Sequence, residues 1–413
     1  MNIVIRIFVA CATFFGLTVT AFSAGVSAPA TVPGWATYGP IDLSLENIVA
    51  PRQLPNSPLG YDIYRWNSTL MQESDVTPVV GSQVGSAISA NTVVWLDSRN
   101  SQVPPYGWDV YMKNLITGVE TRLTPVSGPW LYPKISGNYI LLQNMVEFGT
   151  VHIYHVDTGV TDQVNNIRNS GSTIKISGAK LLYMTWGVAA NTSELRLHDT
   201  STRTELTIAV MFNSGVGGAP CAPEYDIAAD QLAYVDVGSA NCTLQLVDLS
   251  TNVRHIIASS PGMIRSSVNV GAKGVAWIDQ PYDSVSGQPM YGAANQANIY
   301  DRFENTTLAL PLTLGFRAGQ VSVSRYTVAW TEGDIQNPNA YLSVHYATVA
   351  PILGDVDASG CVDSADMTII LHAWGARVGS RRYNPRADLN HDGIINHKDL
   401  ELWSANVGKC VSR

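Results

Sequence analysis

The chain has 413 residues, 46% of them hydrophobic and only 14% charged, with a formal net charge of −8. That hydrophobic share supports a sizeable core and excludes wholesale disorder, and the acidic balance argues against a nucleic-acid partner, which would need a basic patch or stripe. With 34 Gly, 21 Pro and few charged residues, the composition favours strands and turns over long helices.

In chain order, the first element is a leader. Arg6 is followed by the apolar run IFVACATFFGLTVTAF and then by small residues. This reads as a secretory signal peptide over residues 1–28, cleaved after Ser23 or after Ala28. The competing reading is a retained membrane anchor, although the run is marginal for spanning about 30 Å of hydrocarbon. No later segment reads as a membrane span. Of five cysteines, Cys11 lies in the leader, which leaves Cys221, Cys242, Cys361 and Cys410. An even number in an exported chain suggests two disulfides, with three pairings open. Residues 29–60 read as a linker.

A repeat array follows. SAISANTVVWLD (86–97) recurs as PKISGNYILLQN (133–144), IKISGAKLLYMT (174–185), EYDIAADQLAYVD (224–236), VNVGAKGVAWID (268–279) and VSVSRYTVAWTE (321–332). The anchors Ile88, Ile135, Ile176, Ile227, Val270 and Val323 lie 41 to 53 residues apart. A second half-motif follows each anchor, as in WDVYMKNLITG (108–118) and VHIYHVDTG (151–159). Each repeat thus offers two hairpin-linked inner strands and two outer ones. Four short strands per repeat of this length is the pattern of a propeller blade, and one such unit cannot bury its apolar face alone. These motifs resemble the blades of TolB-type β-propellers over roughly residues 61–350. YDIYRWN (61–67) with DVTPVV (75–80) looks like the outer half of a blade. If it completes the last blade, the ring has six blades. If residues 31–80 form a blade of their own, it has seven.

Propeller topology puts interblade loops and second-to-third-strand loops on one face. Cys221 and Cys242 both fall there, which predicts a Cys221–Cys242 disulfide and leaves Cys361–Cys410 as the other. The same face collects long insertions carrying Tyr106, Trp108, Tyr282 and Tyr291, with Trp130 and Tyr132 on an interblade loop. Aromatics amid polar loop residues suit stacking on sugar rings or anchoring a protein partner; the alternative is packing of the loops onto the rim. No catalytic constellation emerges. His152 and His155 are three apart in a strand, so they face opposite sides and cannot share a metal. Asp97, Asp236, Asp279 and Glu332 recur with the blade, which points to a structural role.

The last element carries the specific chemistry. Residues 355–366 read DVDASGCVDSAD, and residues 388–399 read DLNHDGIINHKD. Calcium needs six to eight hard oxygen ligands around one point, and a 12-residue loop with a Gly turn supplies them. The first loop offers Asp355, Asp357, Ser359, Asp363 and Asp366, with the Cys361 carbonyl; the second offers Asp388, Asn390, Asp392, Asn396 and Asp399, with the Ile394 carbonyl. Gly360 and Gly393 make the turns. Prolines precede each loop, and a helix follows each. The apolar positions Met367, Ile370, Leu371 and Trp374 on the first helix, and Leu400, Trp403 and Val407 on the second, are expected to form a small core.

Loop plus exiting helix, twice, resembles type I dockerin modules over residues 354–410. The resemblance implies two calcium ions and a cohesin-type partner. It places the partner-facing positions at Ser364, Ala365, Leu371 and His372, and at His397, Lys398, Ser404 and Ala405. The fold expected is therefore an all-β propeller of six or seven blades with a small α-helical calcium-binding dockerin-like module. The function expected is that of a secreted or cell-surface protein, docked by its C-terminal module, whose propeller binds a polysaccharide or another surface protein. The alternative is a polysaccharide-degrading enzyme, a lyase or glycoside hydrolase, delivered by the same module.

Overall fold

The structure, a computed structural model, describes residues 26–410 except 28, 38–39, 54–59, 101–106, 148, 166, 168–173, 190, 213–220, 238–241, 284–289, 291–294, 325, 335–341, 350–351, 358, 360, 378–379, 381, 385 and 391. Residues 1–25, most of the expected leader, and the aromatics Tyr106 and Tyr291 lie outside the described residues. The described strands form seven four-stranded antiparallel sheets. Six are continuous in sequence: blade 1 (residues 42–75), blade 2 (83–122), blade 3 (134–165), blade 4 (175–212), blade 5 (225–258) and blade 6 (263–309). Blade 7 combines residues 316–348 with the N-terminal strand Ala30–Thr37, which pairs antiparallel with Leu342–Thr348.

The linker expected over residues 29–60 is thus corrected. Ala30–Thr37 closes the last blade, and Asp42–Ser44 with Asn47–Gln53 forms the inner half of the first. Pro33 cannot donate to a sheet ladder, and the register slips between Thr31 and Ala36 to bypass it. Val32 and Trp35, both buried, join a core shared by blades 1 and 7.

The blade signature has a physical basis. Residues two apart in a strand share a face, so the buried indole N–H of Trp95 reaches Asp97 Oδ2 at 2.9 Å. Trp277 reaches Asp279 at 3.0 Å and Trp330 reaches Glu332 at 2.7 Å in the same way. Each acid satisfies a buried donor that would otherwise cost about 1–3 kcal/mol.

A second circuit joins the blades around the channel. Ser44 accepts from Ala90 N–H, Ser89 from Gly137, Ser136 from Gly178 and Ser177 from Ala229. Asp226 accepts from Val270, Asn269 from Val323 and Ser324 from Leu45, which returns to blade 1. Both disulfides are present, Cys221–Cys242 and Cys361–Cys410. The fully buried Arg265 of blade 6 donates to the Cys242 carbonyl at 2.8 Å, tying that loop to the next blade.

His345 clasps the closing strand. Its ring stacks on Trp330 at 5.9 Å, and its Nδ1 lies 3.1 Å from the Thr31 hydroxyl. Burial holds the imidazole below its ordinary value, against the pull of Glu332. The neutral form is therefore favoured in the fold. Its stability contribution is full above the ordinary value of about 6.5 and falls as pH drops through that value toward the lower folded one. The melting temperature of the propeller should accordingly be lower at pH 5 than at pH 7.5, with the difference reduced in His345→Gln. Equal drops in both proteins would exclude His345 as the cause.

Candidate functional site

The C-terminal loops are built around two buried aspartates. Asp366 Oδ1 accepts from the N–H groups of Val356 (2.7 Å) and Asp357 (3.1 Å), and its Oδ2 accepts from Asp363 N–H (2.8 Å). Asp399 repeats this with Leu389, Asn390 and Asn396. Both aspartates are 0% exposed, so the loop backbones fold around charged acceptors that no solvent reaches. The same residues start the helices α1 (Ser364–His372) and α2 (His397–Asn406). Asp363 and Asn396 are N-caps, and Asp366 and Asp399 close reciprocal capping boxes. This accounts for Asp at the last loop position: from there it reaches the N-cap backbone. The D-x-x-D and N-x-x-D spacings carry that capping signal in the sequence, beneath their metal-ligand pattern.

The donor set fits a hard divalent cation. Asp355, Asp357 and Asp366 each bring a carboxylate oxygen to within 4.8 Å of the others. Charges this close repel unless a cation or proton stands between them. Burial works to raise the Asp357 carboxyl, yet hydrogen bonds from Ser359 and the neighbouring carboxyls hold it below its ordinary value. Ser359 Oγ lies 3.3 Å from the Cys361 carbonyl. In the second loop, Asp388 accepts from Asp392 and Gly393 N–H, Asn390 Nδ2 lies 3.0 Å from Asp392, and Asn396 Nδ2 lies 3.0 Å from the Ile394 carbonyl. Gly393 has φ +85°, the left-handed turn that favours glycine; Gly360 lies outside the described residues.

The eight partner-facing positions implied by resemblance are all exposed: Ser364, Ala365, Leu371, His372, His397, Lys398, Ser404 and Ala405. The expected helix core needs correction. Ile370 is buried, but Leu371, Trp374 and Val407 are 47%, 40% and 51% exposed. Helices this short each offer little more than one buried turn. The core is completed by loop residues instead: Val356, Ala387, Leu389 and Ile395.

The aromatic residues of the opposite face divide. Trp108 and Trp130 are partly buried against the core of blades 2 and 3, and Trp130 meets His152 edge-on at 6.2 Å. Tyr282 is half-buried. Tyr132 is 53% exposed, and its ring lies over Gly85, where an added Cβ would come within 2.1 Å of it. His152 pairs with Glu147 and His155 with Asp162, each with its own acid.

The channel holds a cavity of about 610 Å³ lined by Asp42, Lys134, Lys175, Glu224 and Asp226 among other residues. Asp42 accepts from Ile88 N–H at 2.8 Å, and Asp226 accepts from Val270 N–H at 2.8 Å while lying 3.4 Å from Lys175. Burial raises the Asp42 carboxyl and lowers the Lys134 ammonium, which the charge of Lys175 lowers further. Both aspartates thus serve as acceptors between blades.

The dockerin type I domain family matches residues 353–407. No curated protein matches the chain. Among solved structures, the chain is similar to the β-propeller domain of the Trilobed protease from Pyrococcus furiosus, with a TM-score of 0.54 and 8% identity over 75% of this chain and 94% of that one. It is also similar to a prolyl endopeptidase (TM-score 0.50, 11% identity, 78% of this chain and 50% of that one) and to puromycin hydrolase (0.50, 13%, 79% and 54%). The chain spans about half the length of the last two. At these identities the likeness is one of fold. The Pyrococcus propeller is described as having an open velcro topology, whereas here Ala30–Thr37 closes the ring. Residues 353–407 are a dockerin type I domain, carried behind a seven-bladed β-propeller body.

Proposed function

We propose that this chain is an exported binding protein whose dockerin seats on a cohesin in a calcium-dependent manner, leaving the propeller to hold a glycan or a protein. The observation that carries the docking part is the exposure of all eight partner-facing positions on two helices whose caps are the loop residues themselves. The propeller part rests on the exposed Tyr132 beside the insertion loops, and on channel aspartates already engaged between blades. Capture by a panel of type I cohesin modules tests the first part, and loss of capture on Leu371→Asp with Ser404→Asp is expected. No capture by any module would overturn it. Incubation with plant polysaccharides tests the second: retention without product is expected, and product release would replace binding with catalysis.

Export makes a separate prediction. Val26 bridges to Val349, and Ser27 exchanges two hydrogen bonds of 2.9 Å with Thr348. Cleavage after Ser23 keeps these contacts, and cleavage after Ala28 removes them. N-terminal sequencing of the secreted protein should therefore read from Ala24; a start at Pro29 would contradict this.

A further inference from the structure

The duplicated loops differ in one respect that their sequence similarity hides. In the second loop, Tyr383 stands five residues ahead of Asp388 and donates its hydroxyl to Oδ2 at 2.6 Å. The loops repeat every 33 residues, so the matching position ahead of the first loop is Ala350, which has no hydroxyl. Yet Asp355, the counterpart of Asp388, also receives a tyrosine hydroxyl. It comes from the propeller: Tyr326, on the inner hairpin of blade 7 between Phe316–Val323 and Thr327–Asp334, donates to Asp355 Oδ2.

The contact is embedded in an apolar seat. Tyr326, Ile352 and Val362 are 7%, 2% and 0% exposed and form one cluster. Ala272 and Phe303 of blade 6 and Trp403 of α2 pack against it. Phe303 is itself held between Arg302 (4.6 Å) and Lys273 (5.2 Å). The Tyr326 carbonyl accepts from Val349 N–H at 2.7 Å, which fixes the chain as it leaves the propeller.

We propose that the first calcium loop is a composite site: the propeller supplies, through Tyr326, the positioning hydroxyl that the second loop obtains from its own Tyr383. This rests on the calcium reading above. Donors that orient ligating carboxylates commonly change metal affinity by about 10–100-fold when removed. Because coupling is reciprocal, calcium in the first loop should also fasten the dockerin to the propeller. Tyr326 acts through Asp355 and is a positioning residue.

The test uses the full chain. Calcium is titrated against a chromophoric chelator into wild type, Tyr326→Phe and Tyr383→Phe, and proteolysis between residues 349 and 353 is followed with and without calcium. Tyr326→Phe should weaken one site by about tenfold or more, leave the other unchanged, and abolish the protection that calcium gives the junction. Tyr383→Phe should weaken the other site and leave junction protection intact. If Tyr383→Phe weakens a site while Tyr326→Phe changes neither affinity nor cleavage, the composite site is wrong and the calcium reading stands. If wild type takes up no calcium, both fall together.

Discussion

Replacing Asp366 or Asp399 with Ala should unfold residues 353–407 and abolish cohesin capture, while the propeller keeps its β-sheet signal. Each carboxylate accepts three backbone N–H bonds at 0% exposure. A hydrogen bond to a charged group contributes about 1.5–3 kcal/mol. Losing three matches or exceeds the roughly 3–5 kcal/mol that a core of this size supplies. Each substitution also removes a capping box, and with it the start of a helix. Chelation should act in the same direction, since a metal that binds only the folded module adds its binding energy to folding. Hydrogen exchange along the full chain checks this. Protection over residues 353–407 that survives both Asp366→Ala and chelation would sink the argument.

Removing the strand Ala30–Thr37 should open the ring. Leu342–Thr348 would lose its outer partner and present an unpaired edge, a template for pairing with other chains. The shared core would lose Val32 and Trp35, and Trp35 also donates to Glu73 of blade 1. Truncating a buried aromatic of this size costs about 3–5 kcal/mol, so Trp35→Ala alone should lower the melting temperature by several degrees. The deletion should go further and yield aggregates on size-exclusion chromatography. A monomeric, cooperatively melting truncation would show that the circuit of inter-blade hydrogen bonds closes the ring without it.

Six blades were legible because each keeps an anchor and, seven residues later, a large side chain such as Trp95 or Trp277. Blade 1 breaks that pattern. Counting seven from Leu43 reaches Ala50 in place of the tryptophan, and Arg52 stands where Asp97 would. That core takes Trp66 from the third strand of blade 1 and Trp35 from a strand that belongs to blade 7. A repeat search reads positions within one unit, so a residue supplied across the ring closure is invisible to it. The two loop–helix units were legible because each 12-residue pattern and the helix after it are local in sequence. The seat beneath the first loop was not, since Tyr326 and Asp355 meet only once blade 7 has folded.

The place where the dockerin leaves the propeller sets a load path. Leu342–Thr348 runs from the insertion face to the hairpin face and exits at Val349 beside Tyr326. It is flanked on both sides by antiparallel neighbours, Thr327–Asp334 and Ala30–Thr37. Any force that pulls residues 353–407 away from the propeller enters along this strand. Its hydrogen bonds lie across the strand, so they are sheared together rather than peeled one at a time. The closing strand thus shares the tension, which spreads a pull on the C-terminal module over both neighbours of Leu342–Thr348.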